Sequence, residues 1–516
     1  MQGKVYNNPV VRGFYPDPSL IRVGEDYYLV NSTFEYFPAI PIQHSRDLVH
    51  WETVGHAITQ SDALDLSDIF DSHGIWAPDI SCYNGKFYIF APFRLNNEPE
   101  NQTGRLRIQL VMTADRPEGP YSKPWVLEID SIDPSHFVDD DGTHYVIAAP
   151  GVTVTKLSSD CKEVLAPPVQ AWAGTNSHPE GPHILKKDGW YYAILAEGGT
   201  GYGHRVSVAR AKDIYGPYET CPHNPVLMQT DPEAKIQRSG HAKLVETQNG
   251  EWWMMYLCGR LNEGKYTTLG RETALDPVTW TNDGWFIVND GKGPSEEQTY
   301  PNLPEVRYPK RPRDDFDSDE LGLDWVFVRN PKPGNWSLTE RRGWLRLKGS
   351  LYDINERRAY NTLVRRETEH CYTAETRLDY TPTQNRQEAG LVCYCGIYSY
   401  MKLCKVYDDG VKLRVIQCND GEQSSLGEWN IPQEQCDLPV QLRVEVERQE
   451  RRFYYSFDGR IWTLLASRPD CRFLCGEGVS RGKHHTGTMV GIYSHNPAHT
   501  YTYADFDWFE YHAREQ

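Results

Sequence analysis

The stretch SHPEGPHILKKDGWYYAIL, from Ser177 to Leu195, contains the pattern that decides the fold. One carboxylate, Glu180, precedes an apolar run, and a Lys-Lys-Asp-Gly turn then leads into an aromatic strand. The chain repeats this plan five times, with starts at Asp17, Asp79, Asp133, Glu180 and His241. Starts that lie roughly fifty to sixty residues apart are typical of four-stranded propeller blades. The pattern therefore predicts a five-bladed β-propeller.

The rest of the chain also favours an all-β class, because short β-branched and aromatic runs alternate with Gly, Asp and Asn turns. We predict the propeller over residues 1–295 and a Pro-rich linker over residues 296–315. Long hairpin patterns then predict an antiparallel, lectin-like β-sandwich over residues 316–516. This segment opens with DDFDSDELGLDW and closes with ADFDWFEY, so its first and last strands are expected to lie side by side.

Composition excludes several classes of partner. The net charge of −17 argues against nucleic acid or an anionic membrane, because both need a basic surface. The aromatic content of 12% suits a neutral ligand with apolar faces and many hydroxyls, such as a sugar. A homo-oligomer is left open.

The twelve cysteines show no CxxC pair accompanied by a second pair or a His cluster, so no metal ligands are predicted. Most of these thiols are expected to be small core residues in a reducing compartment. The N-terminal stretch MQGKVYNNPVV lacks the pattern of a signal peptide, which predicts a cytoplasmic location, although a removed leader is left open.

The repeat also predicts a site. The first strand of each propeller blade lines the central channel, so residues at one register converge at one end of it. Each repeat-start residue alone could be a turn or capping residue, or for His241 a buried histidine. A shared register for four carboxylates and an imidazole instead indicates acid/base chemistry or cation binding, because clustering like charges costs free energy.

Two further side chains are candidates with open alternatives. Trp76 is either an apolar platform for a sugar ring or a core residue between blades. Arg271 either binds a sugar hydroxyl or forms a structural salt bridge with Glu272 or another acid.

Six motifs in order resemble glycoside hydrolase family 43, and the resemblance covers nearly the whole chain. They are FYPDPS from Phe14, GIWAPDIS from Gly74, IDPSHFVDDDG from Ile132, HPEGPH from His178, SGHAKLVET from Ser239 and LGRETAL from Leu269. The C-terminal segment is similar to that of the family's β-xylosidases. The resemblance implies an inverting exo-glycosidase that removes terminal β-D-xylosyl residues from xylo-oligosaccharides, as in xylan degradation.

The resemblance also implies roles for the site residues. Asp17 matches the general base, Glu180 the general acid, and Asp133 the carboxylate that raises the pKa of the acid and orients it. Trp76, His241, Arg271 and Phe34 are the predicted substrate-binding residues. Asp79 matches a variable position and is left out of the catalytic set. No cofactor is expected, and a calcium ion near the propeller axis is left open.

One motif departs from the family's pattern. In the β-xylosidases an aromatic residue of the sandwich covers the pocket just before a TGxxVG segment, whereas Lys483, His484 and His485 precede TGTMVG here. His485 could supply a ring in its place.

Three other functions remain open at this point. An α-L-arabinofuranosidase or a bifunctional enzyme would use the same fold and acids. A retaining glycosidase would keep the carboxyls closer together. A non-catalytic carbohydrate-binding propeller would explain the blades but not the clustered acids.

Overall fold

The fold is all-β, as predicted. The computed structural model describes residues 4–96, 106–481, 485–498 and 500–514. Within these ranges the regular structure is β-strand, apart from the short 3-10 turns Asn289–Gly291 and Gln433–Gln435. None of the helices in the described part of the chain is long and apolar enough to cross a membrane.

Five antiparallel sheets form the blades of the propeller. From the channel outward, blade 1 contains Ser19–Val23, Asp26–Val30, Ala39–Ser45 and Glu52–Ile58, and blade 2 contains Asp79–Tyr83 with Gly74–Ile75, then Lys86–Arg94, Arg107–Ala114 and Trp125–Leu127. Blade 3 contains Ser135–Val138, His144–Ala148, Val152–Leu157 and Val169–Trp172, and blade 4 contains Glu180–Lys187, Trp190–Glu197, Arg205–Ala211 and Glu219–Thr220, with Leu227–Met228 also beside its third strand. Blade 5 contains Ile236–Glu246, Trp252–Arg260, Arg271–Trp280 and Phe286–Val288. The first strand of each blade contacts the first strands of both neighbouring blades, so the ring is closed around a channel.

The N-terminal segment fastens the ring to the end of blade 5. Val5–Asn7 pairs with Glu297–Thr299, which lies inside the Pro-rich segment 296–315. The side chain of Asn8 donates to the carbonyl of Leu275 at 2.9 Å and accepts from its amide at 2.9 Å. Part of the Pro-rich segment is therefore held against the propeller.

The C-terminal domain is a sandwich of two eight-stranded sheets. The outer sheet contains, in order, Trp336–Ser337, Leu345–Lys348, Tyr503–Ala513, Cys371–Asp379, Val440–Glu447, Glu450–Ser456 and Thr463–Arg468, with Arg313–Asp314 paired to Tyr503–Ala513. The interface sheet contains Glu422–Asn430, Val411–Asn419, Ser399–Tyr407, Glu388–Gly396, Met489–His495, Thr362–Arg366, Val326–Val328 and Tyr36–Phe37. The predicted pairing of the first and last strands is confirmed, with Arg313 opposite Glu510.

The central strands of the interface sheet, Glu388–Gly396, Ser399–Tyr407 and Met489–His495, are buried on both faces, whereas the edge strand Glu422–Asn430 is largely exposed. The strand at the opposite edge comes from the propeller. Tyr36–Phe37 lies in the connection between the second and third strands of blade 1 and pairs with Val326–Val328. Alternation along Glu388–Gly396 sends Leu391 and Cys393 into the core of the sandwich, whereas Val392 and Tyr394 pack in a cluster that includes propeller residues. The two domains therefore share a sheet and a core.

One carboxylate deep in the channel joins the blades. Asp79, on the first strand of blade 2, is fully buried. It accepts hydrogen bonds from Ser19 Oγ of blade 1 at 2.7 Å, from the amide of His136 of blade 3 at 2.9 Å and from Lys243 Nζ of blade 5 at 2.6 Å. His183 Nδ1 of blade 4 lies 3.7 Å away. Asp79 thus contacts the first strands of all the other blades.

This arrangement makes Lys243 a stability determinant. We expect Lys243→Met to lower the free energy of unfolding by about 3–5 kcal/mol, because it leaves the Asp79 carboxylate buried without its cationic partner. Thermal and urea unfolding of the full chain measure the change. Lys123→Met is the control, since Lys123 pairs with Asp62 on the open surface and its loss is expected to leave unfolding unchanged. Equal stability of the two variants would contradict the expectation.

Candidate active site

The predicted site residues Asp17, Asp133, Glu180, His241 and Arg271 meet at one end of the channel. Asp17 and Asp133 each lie two residues before a first strand, Glu180 begins one and His241 lies within one. Asp17 Oδ1 accepts from an Arg271 guanidinium nitrogen at 3.0 Å and lies 3.4 Å from His241 Nδ1. The blades thus bring together side chains that are more than 250 residues apart in sequence, as for the Asp17–Arg271 pair with its separation of 254.

Local backbone geometry explains why aspartate and histidine occupy three of these positions. Asp17, Asp133 and His241 have positive φ values of 54°, 53° and 46°. Among residues other than glycine, Asp, Asn and His tolerate this left-handed conformation best. Asp17 and Asp133 thus lie in bends just before a first strand, as the turn alternative expected, whereas His241 lies inside the strand Ile236–Glu246, at a register shift in its pairing with Trp252–Arg260. This backbone geometry brings all three side chains to the site.

Asp133 is coupled to Glu180 through the backbone. Asp133 Oδ2 accepts a hydrogen bond from the amide of Gly181 at 3.0 Å, so it holds the peptide that follows Glu180. Gly181 has a φ of 59°, and a Cβ there would lie 2.8 Å from the ring of His241. A glycine is required at this position because a side chain would displace the imidazole.

Two of the carboxyls have pKa values shifted in opposite directions. Burial, together with the negative charges of Asp133 and Asp17, raises the pKa of Glu180 to about 7. Burial acts in the same direction on Asp17, but Arg271 and His241 outweigh it and hold the pKa of Asp17 below its usual range. Glu180 thus keeps a substantial protonated fraction near neutral pH while Asp17 is ionised, which is the arrangement that separates an acid from a base.

The other two titratable groups support this difference. Burial raises the pKa of Asp133, and the charge of Asp17 adds to the effect against the attraction of His241. Burial alone would lower the pKa of His241, but its hydrogen bond to Asp17 and the surrounding carboxylates raise it to about 9. The imidazole is therefore a cation at neutral pH, and it balances part of the acidic charge.

Aromatic side chains from both domains form a wall beside the carboxyls. The ring centroids of Phe34 and Trp76 are 6.3 Å apart, and the ring of His485 lies 6.1 Å from each. The Arg271 guanidinium lies 5.8 Å from the Phe34 ring. His485 therefore supplies a ring from the sandwich at the place where the family pattern has an aromatic residue. Lys483 and His484 lie outside the described residues.

The structure decides the alternatives for Arg271 and corrects the placement of Asp79. Arg271 forms its salt bridge with another acid, Asp17, and not with Glu272, which accepts hydrogen bonds from Arg260 and from the amide of Gly13. Asp79 does not share the register of the acidic cluster, because it bonds to Ser19, the residue two positions after Asp17. The ring of four carboxylates is thus a ring of three, and Asp79 lies one layer deeper in the channel with Lys243.

A buried network at the domain interface supports the aromatic wall, and sequence reasoning missed it. Ser72 Oγ accepts from the amide of His485 at 2.8 Å, and the Ser72 amide donates to Glu35 Oε2 at 3.0 Å. Beside Ser72, Asp71 Oδ1 accepts from Arg329 of the sandwich at 2.8 Å. Burial and the charge of Asp71 raise the pKa of Glu35 to about 8. The only sequence signal was an arginine in the apolar run VFVRN.

Two of the four channel carboxyls, those of Asp17 and Asp79, already have a cationic partner. Asp17 pairs with Arg271, and Asp79 pairs with Lys243. A calcium ion usually takes six to eight oxygen ligands, so these carboxylates fit that ion poorly. A calcium ion near the axis stays a prediction.

Both halves of the chain match known family models. Residues 6–286 match the model described as Glycosyl hydrolases family 43, and residues 313–512 match the one described as Beta xylosidase C-terminal Concanavalin A-like domain. The chain is 36% identical to a Xylan 1,3-beta-xylosidase of Vibrio sp, over 98% of each chain. It is 35% identical to the Non-reducing end alpha-L-arabinofuranosidase BoGH43B of Bacteroides ovatus, over 98% of this chain and 95% of that one. The crystal structure of the GH43 BlXynB protein from Bacillus licheniformis superposes with a TM-score of 0.96 at 55% identity, covering 99% of this chain and all of that one (100%).

Because folding raises the pKa of Glu35, we expect the free energy of unfolding to depend on pH. A carboxyl whose pKa is raised by folding keeps its proton in the folded chain after the unfolded chain has lost it, so stability falls as pH rises from about 5 to about 8. Glu35→Gln removes this dependence, and we expect its Tm relative to that of the wild type to increase over this range. Thermal unfolding at several pH values measures it. For Glu25→Gln, at an exposed surface position, the difference in Tm from the wild type should not change with pH. The same result for Glu35→Gln would contradict the proton assigned to Glu35.

Proposed function

This chain belongs to glycoside hydrolase family 43, and we propose that it is an inverting exo-glycosidase that releases terminal β-D-xylosyl residues from xylo-oligosaccharides. It is a glycoside hydrolase, so its substrate is an oligosaccharide. The single observation that carries the mechanism is the pair of carboxyls at one channel mouth, one with a pKa of about 7 and one held low. The match of the C-terminal half to a β-xylosidase domain and the Vibrio relative support xylose as the sugar.

The proposed reaction uses three carboxyls in different protonation states. Asp17 is ionised and takes a proton from the attacking water, and Glu180 is protonated and gives its proton to the leaving glycosidic oxygen. In an inverting enzyme the base and the acid act from opposite sides of the sugar, about 6.5–9.5 Å apart. Asp133 keeps the proton on Glu180 through its charge and fixes the Gly181 peptide beside it.

The remaining residues are proposed to bind the terminal sugar. Phe34, Trp76 and His485 offer apolar ring faces of the kind that pack against a sugar ring. The cationic side chains of Arg271 and His241 can donate hydrogen bonds to its hydroxyls while lowering the pKa of Asp17. Because His485 of the sandwich stands against the propeller residues Phe34 and Trp76, we infer a pocket walled by both domains. Such a pocket favours cleavage at a chain end over cleavage within it.

An α-L-arabinofuranosidase is the second candidate, and the Bacteroides ovatus relative favours it. A purely sugar-binding propeller would have no need for one carboxyl held protonated beside another held ionised. A cytoplasmic location and a homo-oligomer stay predictions.

The proposed function is tested with 4-nitrophenyl β-D-xyloside and 4-nitrophenyl α-L-arabinofuranoside assayed side by side on the purified chain. We expect kcat/KM to be higher for the xyloside, and we expect xylobiose to release α-xylose first, as followed by NMR. A preference for the arabinofuranoside would transfer the assignment to the second candidate, and β-xylose as the first product would show retention. The same assays with a chelator test the calcium prediction.

Glu180→Gln serves as the mechanistic control in these assays. It removes the proton donor while keeping a similar shape, so we expect a loss of about 10²–10⁴ in kcat on xylobiose. The loss should be much smaller on an aryl xyloside whose leaving group needs no proton.

The role of Asp133 gives a separate prediction about pH dependence. The acid must be protonated, so kcat/KM is expected to fall as pH rises through about 7. Asp133→Asn removes a charge that raises the pKa of Glu180, and the alkaline limb should therefore move to lower pH. Asparagine can still accept from the Gly181 amide, which separates the charge effect from the loss of orientation. A limb that stays in place would contradict the role assigned to Asp133.

A further inference from the structure

A second cluster of ligand-type side chains lies in blade 3, outside the acidic site. It contains His136 on the first strand, His144 on the second and Cys161 in the loop after the third, and all three are buried. His136 Nε2 lies 3.0 Å from His144 Nδ1, and Cys161 Sγ lies 3.6 Å and 3.3 Å from these two nitrogens. Two imidazole nitrogens and a sulfur thus form a compact triangle.

The triangle has the size that a tetrahedral metal ion requires. With Zn–N bonds near 2.0–2.1 Å and a Zn–S bond near 2.3 Å, neighbouring ligands are about 3.3 Å apart for two nitrogens and about 3.5 Å for nitrogen and sulfur. The three observed separations lie within a few tenths of an ångström of these values. An ion could therefore bind with little movement of the side chains.

Surrounding groups hold the imidazoles in position. His136 Nδ1 lies 2.7 Å from Ser81 Oγ, and in the tautomer that donates this bond the Nε2 lone pair faces the triangle. Second partners of this kind commonly orient metal-binding histidines. The His136 ring also stacks on Phe90, with centroids 4.8 Å apart, and Tyr83 packs edge-on against His144 at 5.1 Å.

The sandwich contains another cluster of ligand-type side chains, which differs because a lysine already occupies it. It is formed by Asp353, Glu388 and His495 and surrounds the ammonium of Lys402, which lies 2.9 Å from Asp353 and 2.5 Å from Glu388. That cluster already contains its cation. The cluster of blade 3 instead offers two imidazoles and one thiol, which are the ligands that Zn²⁺ prefers.

We propose that His136, His144 and Cys161 form a zinc site, with a fourth position left for a water molecule or a further ligand. On binding, the thiol of Cys161 releases its proton to solvent and coordinates as a thiolate. The ion would tie the first two strands of blade 3 to the loop after the third. The sequence pattern gave no sign of it, because the ligands are 8 and 17 residues apart and fit no CxxC or His-cluster spacing. The alternative is a metal-free trio held by hydrogen bonds.

The experiment uses the full, untagged chain after removal of metal by a chelator. Zn²⁺ binding is measured by competition with a chromophoric chelator, and bound zinc is counted by mass spectrometry. We expect one tightly bound Zn²⁺ per chain and a rise in Tm on its addition. Cys161→Ser and His144→Gln should each bind at least tenfold more weakly, whereas Cys221→Ser, a buried cysteine of blade 4, should bind like the wild type.

Co²⁺ provides a readout that needs no variant. A wild-type chain loaded with Co²⁺ should show the charge-transfer absorption of a thiolate-to-cobalt bond, which a site built only from the carboxylates and imidazole of the channel would lack. Saturable Zn²⁺ binding that is equal in Cys161→Ser and Cys221→Ser would overturn the proposal. So would the absence of the charge-transfer band, even if the variants failed to fold.

Discussion

The contact between Asp79 and Lys243 is the constraint on which the propeller depends. A closed ring of blades leaves little room in its channel, and a charge there is costly unless a partner neutralises it. Asp79 has that partner and also bonds to the first strands of blades 1 and 3. The layer of Asp17 and His241 lies two residues before Ser19 and Lys243 on the same chain segments. Its geometry is therefore set by the layer beneath it.

The second constraint is the shared sheet between the domains. Because Tyr36–Phe37 pairs with a strand of the sandwich, Phe34 and Glu35 are fixed by both domains at once. The same segment contributes an aromatic ring to the pocket wall and a protonated carboxyl to the interface network. The sandwich thus forms part of the site, with His485 and Arg329 as its contributions.

The sequence predicted the fold well because each blade of a propeller is formed by one continuous stretch of the chain. Each blade carries its own turns and aromatic strand, so the repeat is visible without knowledge of distant contacts. The alignment of equivalent positions between blades was predicted less accurately than the blades themselves. Asp17 precedes its proline, whereas Asp79 follows Pro78, and this order was the available signal that Asp79 lies one layer deeper. The motif order did point to His485 as a ring over the pocket. The roles of Arg329 and Ser72 could not be predicted, because they depend on packing between distant segments: Asp71 and Arg329 are 258 residues apart, and Ser72 and His485 are 413 apart.

The shared sheet also determines how the chain can be assembled during synthesis. The propeller leaves the ribosome first, and its strand Tyr36–Phe37 then has an unpaired edge beside the apolar rings of Phe14 and Phe34. That edge stays open until residues 326–328 have been translated. A nascent propeller therefore exposes this apolar face until the sandwich covers it, and an isolated propeller cut at the Pro-rich segment would expose it permanently.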